Sequence, residues 1–249
     1  MQEIILPEEI LSQREVVNIL KSINYSREQQ ALWNNDRDLG FENGKYSDRW
    51  NYIFFNIRET FTYEPFLTYS VNRGPLWKFI VIYNIETKIL YLLLKENTFK
   101  KIKKDKKSKG HYVRIFNSKN LHLQGEVAEQ LNFLTGFEPI SDEYINKDLE
   151  KMISEIKDEI KVCVNILFKE NEEGVYKITG NLSNYNLDIF KTYDLTRYIT
   201  ADIADIADTK FDVVNSMPAI ELEVREEKNQ KDLLGKDKVK KEDEKRTEN

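Results

Sequence analysis

Residues 47–94 read SDRWNYIFFNIRETFTYEPFLTYSVNRGPLWKFIVIYNIETKILYLLL, and the period of the large apolar side chains changes within this stretch. In its first part they recur at offsets of three, four and seven, at Trp50, Ile53, Phe54, Ile57 and Phe61. This spacing predicts a helix whose apolar side packs on another element. Ser47 is the predicted N-cap, with Asp48 in the first turn.

In the second part the pattern becomes typical of strands. Residues 66–71, 77–83 and 89–94 are rich in β-branched and aromatic side chains. Turn formers separate these runs, at Arg73-Gly74-Pro75 and at residues 84–88. We predict a meander of three antiparallel strands with the Trp50 helix on one face. The unbroken apolar runs FIVIY and ILYLLL predict that the other face is covered as well.

The flanking sequence repeats this alternation of helical and strand patterns. On the N-terminal side we predict a helix over residues 8–33, beginning near Pro7, and a loop over 34–45. On the C-terminal side Ser141 is positioned to cap a long helix. The predicted elements there are the helix 140–160, strands 161–168, 175–182 and 185–193, and a short helix over 194–207 that Asp194 would cap.

This order predicts an α+β fold in which antiparallel β-meanders pack against amphipathic helices. The predicted organisation is residues 1–137, with a basic loop at 95–119, and residues 138–217, as two units or as one continuous domain. Residues 221–249 hold ten acidic and nine basic side chains with few apolar ones. Such a segment buries too little apolar surface to order itself, so we predict a disordered tail over 218–249.

Composition excludes several classes of protein. In the 249 residues no apolar run approaches the roughly 18 residues of a membrane span. The chain starts with acidic residues where a secretory signal would carry lysines, so we predict a cytoplasmic protein without a membrane partner. A single cysteine, Cys163, and two histidines, His111 and His122, leave no structural Cys/His zinc site. We expect Cys163 to be buried, because it lies in an apolar run.

Charge is segregated along the chain. Residues 95–119 carry nine lysines and one arginine against two acidic residues, a net charge of +8. The rest of the chain, without the tail, carries −12. Phe99, Tyr112 and Phe116 lie among the lysines and could stack on unpaired bases.

Lysines that neutralise phosphates release counterions and give sequence-independent affinity for nucleic acid. The candidate nucleic-acid-binding residues are Lys100, Lys101, Lys103, Lys104, Lys106, Lys107, Lys109, Tyr112 and Arg114. Two other interpretations stay open, a solvated loop that keeps the protein soluble and a surface that pairs with an acidic protein. The segment holds only one arginine, although arginine is the better bidentate reader of phosphates and bases.

Catalytic patterns give a weaker signal. Glu86 and Lys88 form a Glu-x-Lys element, and with Glu64 they could serve a metal-dependent nuclease. Three aspartates spaced by three, Asp202, Asp205 and Asp208, are more typical of the solvated side of a helix than of a metal site. No glycine-rich phosphate loop or nucleophile elbow is present, so we assign no catalytic residue, metal or cofactor.

One further pattern carries a resemblance. It comprises Arg49-Trp50-Asn51, Ile53-Phe54, Arg73-Gly74, Trp77-Lys78-Phe79, Tyr83, Thr87 and Leu90-Tyr91. With these residues the chain resembles an uncharacterised bacterial family of unknown function, found in Gram-positive genomes and mobile elements. The resemblance implies no activity and no functional residue. It suggests either a nucleic-acid-binding accessory or regulatory protein of a mobile element, or a protein-interaction factor, a neutraliser or adaptor, that acts through the acidic body.

Overall fold

The computed structural model describes residues 6–37, 45–73, 77–105, 108–123 and 141–199, which all fall in one compact unit, Met1–Ala207. The α-helices in these ranges are α1 (Gln13–Arg37), α2 (Lys45–Thr60), α3 (Glu96–Lys104), α4 (Tyr112–Asn117) and α5 (Asp142–Ile153). The strands are β1 (Phe66–Asn72), β2 (Lys78–Asn84), β3 (Ile89–Lys95), β4 (Val162–Glu170), β5 (Val175–Ser183) and β6 (Ile189–Asp194).

All six strands form one sheet in the order β1-β2-β3-β4-β5-β6. Strands β1–β3 and β4–β6 are antiparallel meanders, which confirms the predicted α+β class and both strand groups. The two meanders meet in a parallel pair, β3 with β4, in register from Ile89↔Val162 to Lys95↔Phe168. The sheet is therefore mixed, and the parallel pair was not predicted. A parallel pair needs a long crossover connection, which here contains α3, α4 and α5.

Helices cover both faces of the sheet. On one side, the α2 face, the predicted apolar stripe is confirmed, since Ile53, Ile57 and Phe61 are each 1% exposed. Trp50 is partly buried and packs on Phe168 of β4, with ring centroids 6.1 Å apart. Helix α1 packs beside α2, and the Tyr91 hydroxyl of β3 donates a hydrogen bond to the carbonyl of Ile10, just before α1.

The opposite side, the crossover face, carries a buried network of carboxamides. Asn165 of β4 exchanges hydrogen bonds with Asn117 of α4, at 2.8 and 3.1 Å, and also donates to the Ser183 hydroxyl of β5. Asn120, in a 3₁₀ helix at Ser118–Leu123, donates to the carbonyl of Cys163 and accepts from its N–H. Because buried polar groups must be paired, this network fixes the position of the crossover on the sheet.

The predicted start of the first helix is wrong. Helix α1 begins at Gln13 instead of residue 8, and Pro7 lies outside it. The carboxylate of Glu15 accepts a hydrogen bond from the Ser12 N–H at 2.9 Å, the reciprocal half of a capping box. This cap explains why the helix begins after Ser12.

The boundary between the first two helices also differs from the prediction. Helix α1 continues to Arg37, and α2 begins at Lys45, two residues before the predicted cap Ser47. The predicted loop over 34–45 is thus helical at both of its ends. Its central residues, 38–44, lie outside the described part of the chain.

At the C-terminal end the predictions are confirmed in part. The Ser141 hydroxyl accepts from the N–H of Tyr144 at 3.3 Å and caps α5, which is shorter than predicted and ends at Ile153. Strand β6 begins at Ile189 instead of residue 185, because a turn follows Asn184 and places Leu187 at a φ of 65°.

Only residues 195–199 follow β6 in the described part of the chain. Asp194 accepts from the N–H of Thr196 at 2.9 Å and begins only a 3₁₀ turn, Thr196–Tyr198. The remainder of the predicted helix, the aspartates 202, 205 and 208, and the predicted tail over 218–249 lie outside the described residues.

Candidate nucleic-acid interface

Most of the described part of the basic segment is helical, so its prediction as a loop is wrong. Residues 96–104 form α3, in which Phe99 and Ile102, three positions apart, are 2% and 8% exposed. These two side chains hold the helix on the sheet, and the lysines take the remaining positions around it. Because lysines surround Phe99 and Ile102 in the sequence, the apolar side of this short helix was not recognised.

The aromatic side chains of the segment do not face solvent. Phe99 and Phe116 are buried in the core. Tyr112 is partly buried and packs on Phe79 of β2 with centroids 4.5 Å apart, and the guanidinium of Arg73 lies 5.1 Å from the centre of its ring. Burial raises the pKa of Tyr112 to about 12. The predicted stacking surfaces are therefore occupied by the protein itself.

Arg114 is also engaged within the protein. It is 1% exposed, and its guanidinium donates to the carbonyls of Ile102, Lys103 and Asp105 at 2.8, 3.2 and 3.3 Å. A second guanidinium nitrogen donates to the carbonyl of Tyr185 at 3.3 Å. The last carbonyls of a helix have no partner within it, so Arg114 supplies donors to the end of α3. Burial lowers the pKa of Arg114.

The candidate lysines have different surroundings. Lys100 contacts Glu96 at 2.5 Å and Lys103 contacts Asp188 at 2.8 Å. Lys101 and Lys104 are exposed on α3. Lys109 is partly buried, and its carbonyl accepts from the Tyr185 hydroxyl. Lys106 and Lys107 lie outside the described residues.

The structure brings other cations to α3, around two carboxylates at one end of the sheet. The first is Glu170, the last residue of β4, whose side chain is 10% exposed. Arg49 of α2 contacts both of its oxygens, while Lys95 and Arg27 contact one each, at 2.8 and 3.0 Å. Burial alone would raise the pKa of Glu170, but the bonds from Arg49 and Lys95 outweigh it and hold the pKa at about 2.

The second carboxylate is Glu96, the first residue of α3, with a side chain 13% exposed. Lys100 contacts one of its oxygens, and Lys169 of β4 lies 3.4 Å from the same oxygen. Lys177 of β5 lies 3.7 Å from the other oxygen. Burial opposes ionisation here too, but the hydrogen bond and charge of Lys100 lower the pKa of Glu96.

We define the basic cluster as the six cations around Glu96 and Glu170: Arg27, Arg49, Lys95, Lys100, Lys169 and Lys177. The basic cluster comprises two groups on opposite faces of this end of the sheet, because Lys169 and Glu170 are consecutive residues of β4. Three cations surround Glu170 on the α2 face, and Lys100, Lys169 and Lys177 surround Glu96 on the crossover face. Each group has a formal excess of two positive charges. The basic cluster lies where the parallel strands β3 and β4 end.

Of these six residues, sequence reasoning had selected only Lys100 as a contact. Lys95 was counted in the basic segment, but Arg27, Arg49, Lys169 and Lys177 were missed. As single charged residues of helices and strands they carry no signal of their own. The parallel pairing of β3 with β4 places Lys169 beside α3, the β4–β5 pairing places Lys177 opposite Lys169, and the packing of α1 and α2 brings Arg27 and Arg49 to Glu170.

The predicted Glu-x-Lys element has another role in the fold. Glu86 is exposed in the β2–β3 turn, and the ammonium of Lys88 contacts Glu159 at 2.8 Å. Lys88 has a φ of 59°, and its carbonyl accepts from the N–H of Lys161 just before β4. Within the described residues no three His, Cys, Asp or Glu side chains are grouped to hold a metal ion.

The cysteine and the two histidines lie in three different surroundings. Cys163 is fully buried, as predicted, and burial raises the pKa of its thiol. His122 is exposed. His111 is partly buried before α4, and its Nδ1 accepts from the N–H of Val113 at 3.3 Å. Burial, together with the charges of Arg73 and Arg114, lowers the pKa of His111 to about 4.

Comparison with known proteins identifies the family of this chain. Residues 7–248 match the family described as "Family of unknown function (DUF5986)". The chain belongs to DUF5986. This membership agrees with the predicted resemblance to an uncharacterised family. No curated protein and no solved structure matches the chain.

Membership of DUF5986 brings no activity with it, so function must be argued from the surface of this chain. None of the helices in the described ranges has the length and apolar character needed to cross a bilayer. The feature that is concentrated and chemically specific is the basic cluster, together with the exposed lysines of α3.

Proposed function

We propose that this protein binds nucleic acid through phosphate contacts at the basic cluster, extended by Lys101 and Lys104 on α3. The observation that supports the proposal is that three cations surround each of two largely enclosed carboxylates at the same end of the sheet. Phosphates neutralised by such cations release their counterions, which gives affinity that depends on salt and little on sequence.

The cations of the basic cluster differ in their access to solvent. The side chains of Lys100 and Lys177 are 59% and 46% exposed, whereas those of Arg27 and Arg49 are 26% and 15% exposed. The lysines can therefore reach a phosphate directly. The arginines contribute mainly to the local potential, because their hydrogen bonds hold Glu170.

The carboxylates give the basic cluster a fixed geometry. A long lysine side chain loses conformational entropy when it is immobilised on a ligand. Lys100, Lys169 and Lys177 already converge on Glu96, so part of that cost is met in the folded protein. A bound phosphate would share these ammonium groups with the carboxylate.

The alternative function, a protein-interaction factor acting through its acidic body, stays a prediction. Two of the acidic side chains, Glu96 and Glu170, are enclosed by cations and so offer little to a basic partner. The finer role, an accessory or regulatory protein of a bacterial mobile element, has its support in the resemblance alone. A stoichiometric protein partner whose binding is independent of the basic cluster would favour the interaction role.

The proposal is tested with a double variant, Lys100→Gln with Lys177→Gln, which leaves Lys169 to neutralise Glu96. Binding to labelled DNA is followed by anisotropy over a salt series. Each phosphate contact contributes about 0.7 to 0.9 to the slope of log K against log salt. We expect the variant to bind more weakly at low salt and to lose about 1 to 2 from that slope.

A matched control removes the same charge elsewhere. Lys161, before β4, and Lys191, in β6, are exposed and lie outside the basic cluster. Lys161→Gln with Lys191→Gln should leave the salt slope close to that of the unaltered protein. Equal losses in both variants, or no binding of the unaltered protein at low salt, would contradict the proposal.

A further inference from the structure

A groove on the α2 face lies between α2 and the first two strands. Asn51, Phe55 and Arg58 of α2 line one side, and Ser70 of β1 and Lys78 of β2 line the other. Its volume is about 190 Å³. Ligand pockets for whole drug-sized molecules span roughly 300–1,000 Å³, so this groove suits a single planar ring system.

The walls of the groove combine aromatic surface with positive charge. Phe55 is 49% exposed, and the guanidinium of Arg58 lies 5.4 Å from the centre of its ring. Lys78 is exposed, and no carboxylate is among the lining residues. Asn51 and Ser70 add hydrogen-bonding groups of both kinds. A ring with polar edges that is attached to a negative charge matches this lining.

One lining residue of the groove, Lys78, lies at the end of the sheet that carries the basic cluster. Strand β2 is antiparallel to β3, so Lys78, which begins β2, lies at the end where β3 finishes with Lys95. The groove and the cations around Glu170 therefore share one end and one face of the sheet, and a nucleic-acid strand that also contacts the lysines around Glu96 passes around this end to the crossover face.

A chain of aromatic rings links the two surfaces. Trp50, which follows Arg49 of the basic cluster, lies 5.1 Å from Phe54, and Phe54 lies 6.5 Å from Trp77, which is 37% exposed. Phe54 is buried, so the exposed rings on this surface are Trp77 and Phe55. Proteins bind unpaired bases by exposed aromatic rings beside a cationic surface.

We infer that the ligand is single-stranded nucleic acid, whose phosphates contact the basic cluster while one base enters the groove and stacks on Phe55. This inference rests on the proposed function and narrows its substrate class. A base within a duplex is stacked and paired on both sides, so only an unpaired base has a face available for Phe55. DNA and RNA strands share this chemistry.

The test compares Phe55→Ala with a matched control, Phe190→Ala. Phe190 is 38% exposed on the edge strand β6 and lies outside the groove. Anisotropy is measured with oligothymidylate and oligouridylate of about 12 nucleotides, a duplex of equal length, and inorganic polyphosphate. Far-UV circular dichroism confirms that both variants are folded.

We expect the unaltered protein to bind the single strands more tightly than the duplex. Phe55→Ala should lower the single-strand affinity by about tenfold, while its polyphosphate binding stays the same. Phe190→Ala should behave as the unaltered protein does. Equal affinity for oligothymidylate and oligouridylate supports stacking without a contact to the sugar or to the thymine methyl group.

The outcomes separate this inference from the proposed function. If Phe55→Ala binds single strands as tightly as the unaltered protein while polyphosphate still requires Lys100 and Lys177, the groove is not a base site and the basic cluster stands alone. If no polyanion binds the unaltered protein, the proposed function fails and the inference fails with it. Tryptophan quenching by oligothymidylate that is lost in Trp77→Phe would independently place the base near the groove.

Discussion

Single residues show how the same side chain can serve binding or folding. Arg114 was predicted as a phosphate contact because it is the one arginine in a lysine-rich segment. Arginine is equally suited to bridging several carbonyls, since its planar fork presents five N–H donors. The structure uses it in this second way, at the end of α3. The sequence shows that Arg114 supplies hydrogen-bond donors, but it does not show which acceptors these donors contact in the folded protein.

Substitution of Arg114 separates these two roles. Arg114→Lys keeps the charge but cannot reach Ile102, Lys103 and Asp105 together, so we expect it to lower the free energy of unfolding by about 2–4 kcal/mol. Urea unfolding measures this change. If Arg114 contacted phosphates instead, the lysine variant would be nearly as stable as the unaltered protein, and its salt slope of DNA binding would be unchanged because the charge is kept.

Phe55 is the residue that the sequence could have indicated. It stands beside Phe54 but off the stripe formed by Ile53, Ile57 and Phe61, so a helix through that stripe must turn it toward solvent. A single exposed aromatic ring is common on protein surfaces, so it becomes a candidate contact only together with the cations that the fold places beside it, here Arg58 and Lys78. The sequence analysis used the stripe and passed over the residue outside it.

At the scale of elements, hydrophobic periodicity correctly predicted the helices and strands that bury a large apolar surface. The Trp50 helix and all of the first five strands were located to within a few residues, because their burial dictates their pattern. The prediction for the basic segment was wrong because this segment buries little apolar surface. Helix α3 is held by only two buried side chains, Phe99 and Ile102, and nine residues with two apolar anchors resemble a loop.

The start of α4 depends on His111, which gives a prediction about pH. The imidazole accepts the N–H of Val113 only when its Nδ1 is unprotonated, and its folded pKa is about 4 against an ordinary 6.5. Between these values the unfolded chain binds the proton and the folded protein does not. The contribution of His111 to stability is therefore complete above pH 6.5 and is lost as the pH falls toward 4.

A non-titrating cap removes this dependence. Asparagine is also a good N-cap acceptor, so His111→Asn should retain α4 while the free energy of unfolding falls less steeply between pH 6.5 and 4. Urea unfolding at several pH values measures the slope. Glu170, with a folded pKa of about 2, adds acid sensitivity to both proteins, so the comparison concerns the difference between them. An unchanged slope would show that His111 does not couple folding to pH.

At the scale of the whole molecule, the segregation of charge was visible in the sequence, but its arrangement was not. The composition placed +8 in one segment of a negative chain. It could not show that β4 lies parallel to β3, a pairing that brings Lys169 to Glu96, while the β4–β5 hairpin places Lys177 opposite Lys169. Pairing between distant strands depends on the packing of the entire crossover, which local patterns do not encode.

Removal of the Glu96 charge should raise the DNA affinity, whereas removal of the lysines around it should lower that affinity. Glu96 is ionised near neutral pH, since Lys100 lowers its pKa, and it shares three lysines that a phosphate would contact. Glu96→Gln keeps the shape of the side chain and removes the competing charge. We expect DNA affinity at low salt to rise by about fivefold, on the order of 1 kcal/mol for one charge near the surface.

The same variant distinguishes a binding surface from an ion network that only stabilises the fold. Without the Glu96 carboxylate, Lys100, Lys169 and Lys177 repel one another, so thermal stability should fall slightly. A binding surface predicts weaker folding together with tighter DNA binding, since those lysines become available to phosphates. If Glu96→Gln lowers stability and leaves DNA affinity unchanged, the cations of the basic cluster serve the fold, and the phosphate contacts must lie elsewhere on the molecule.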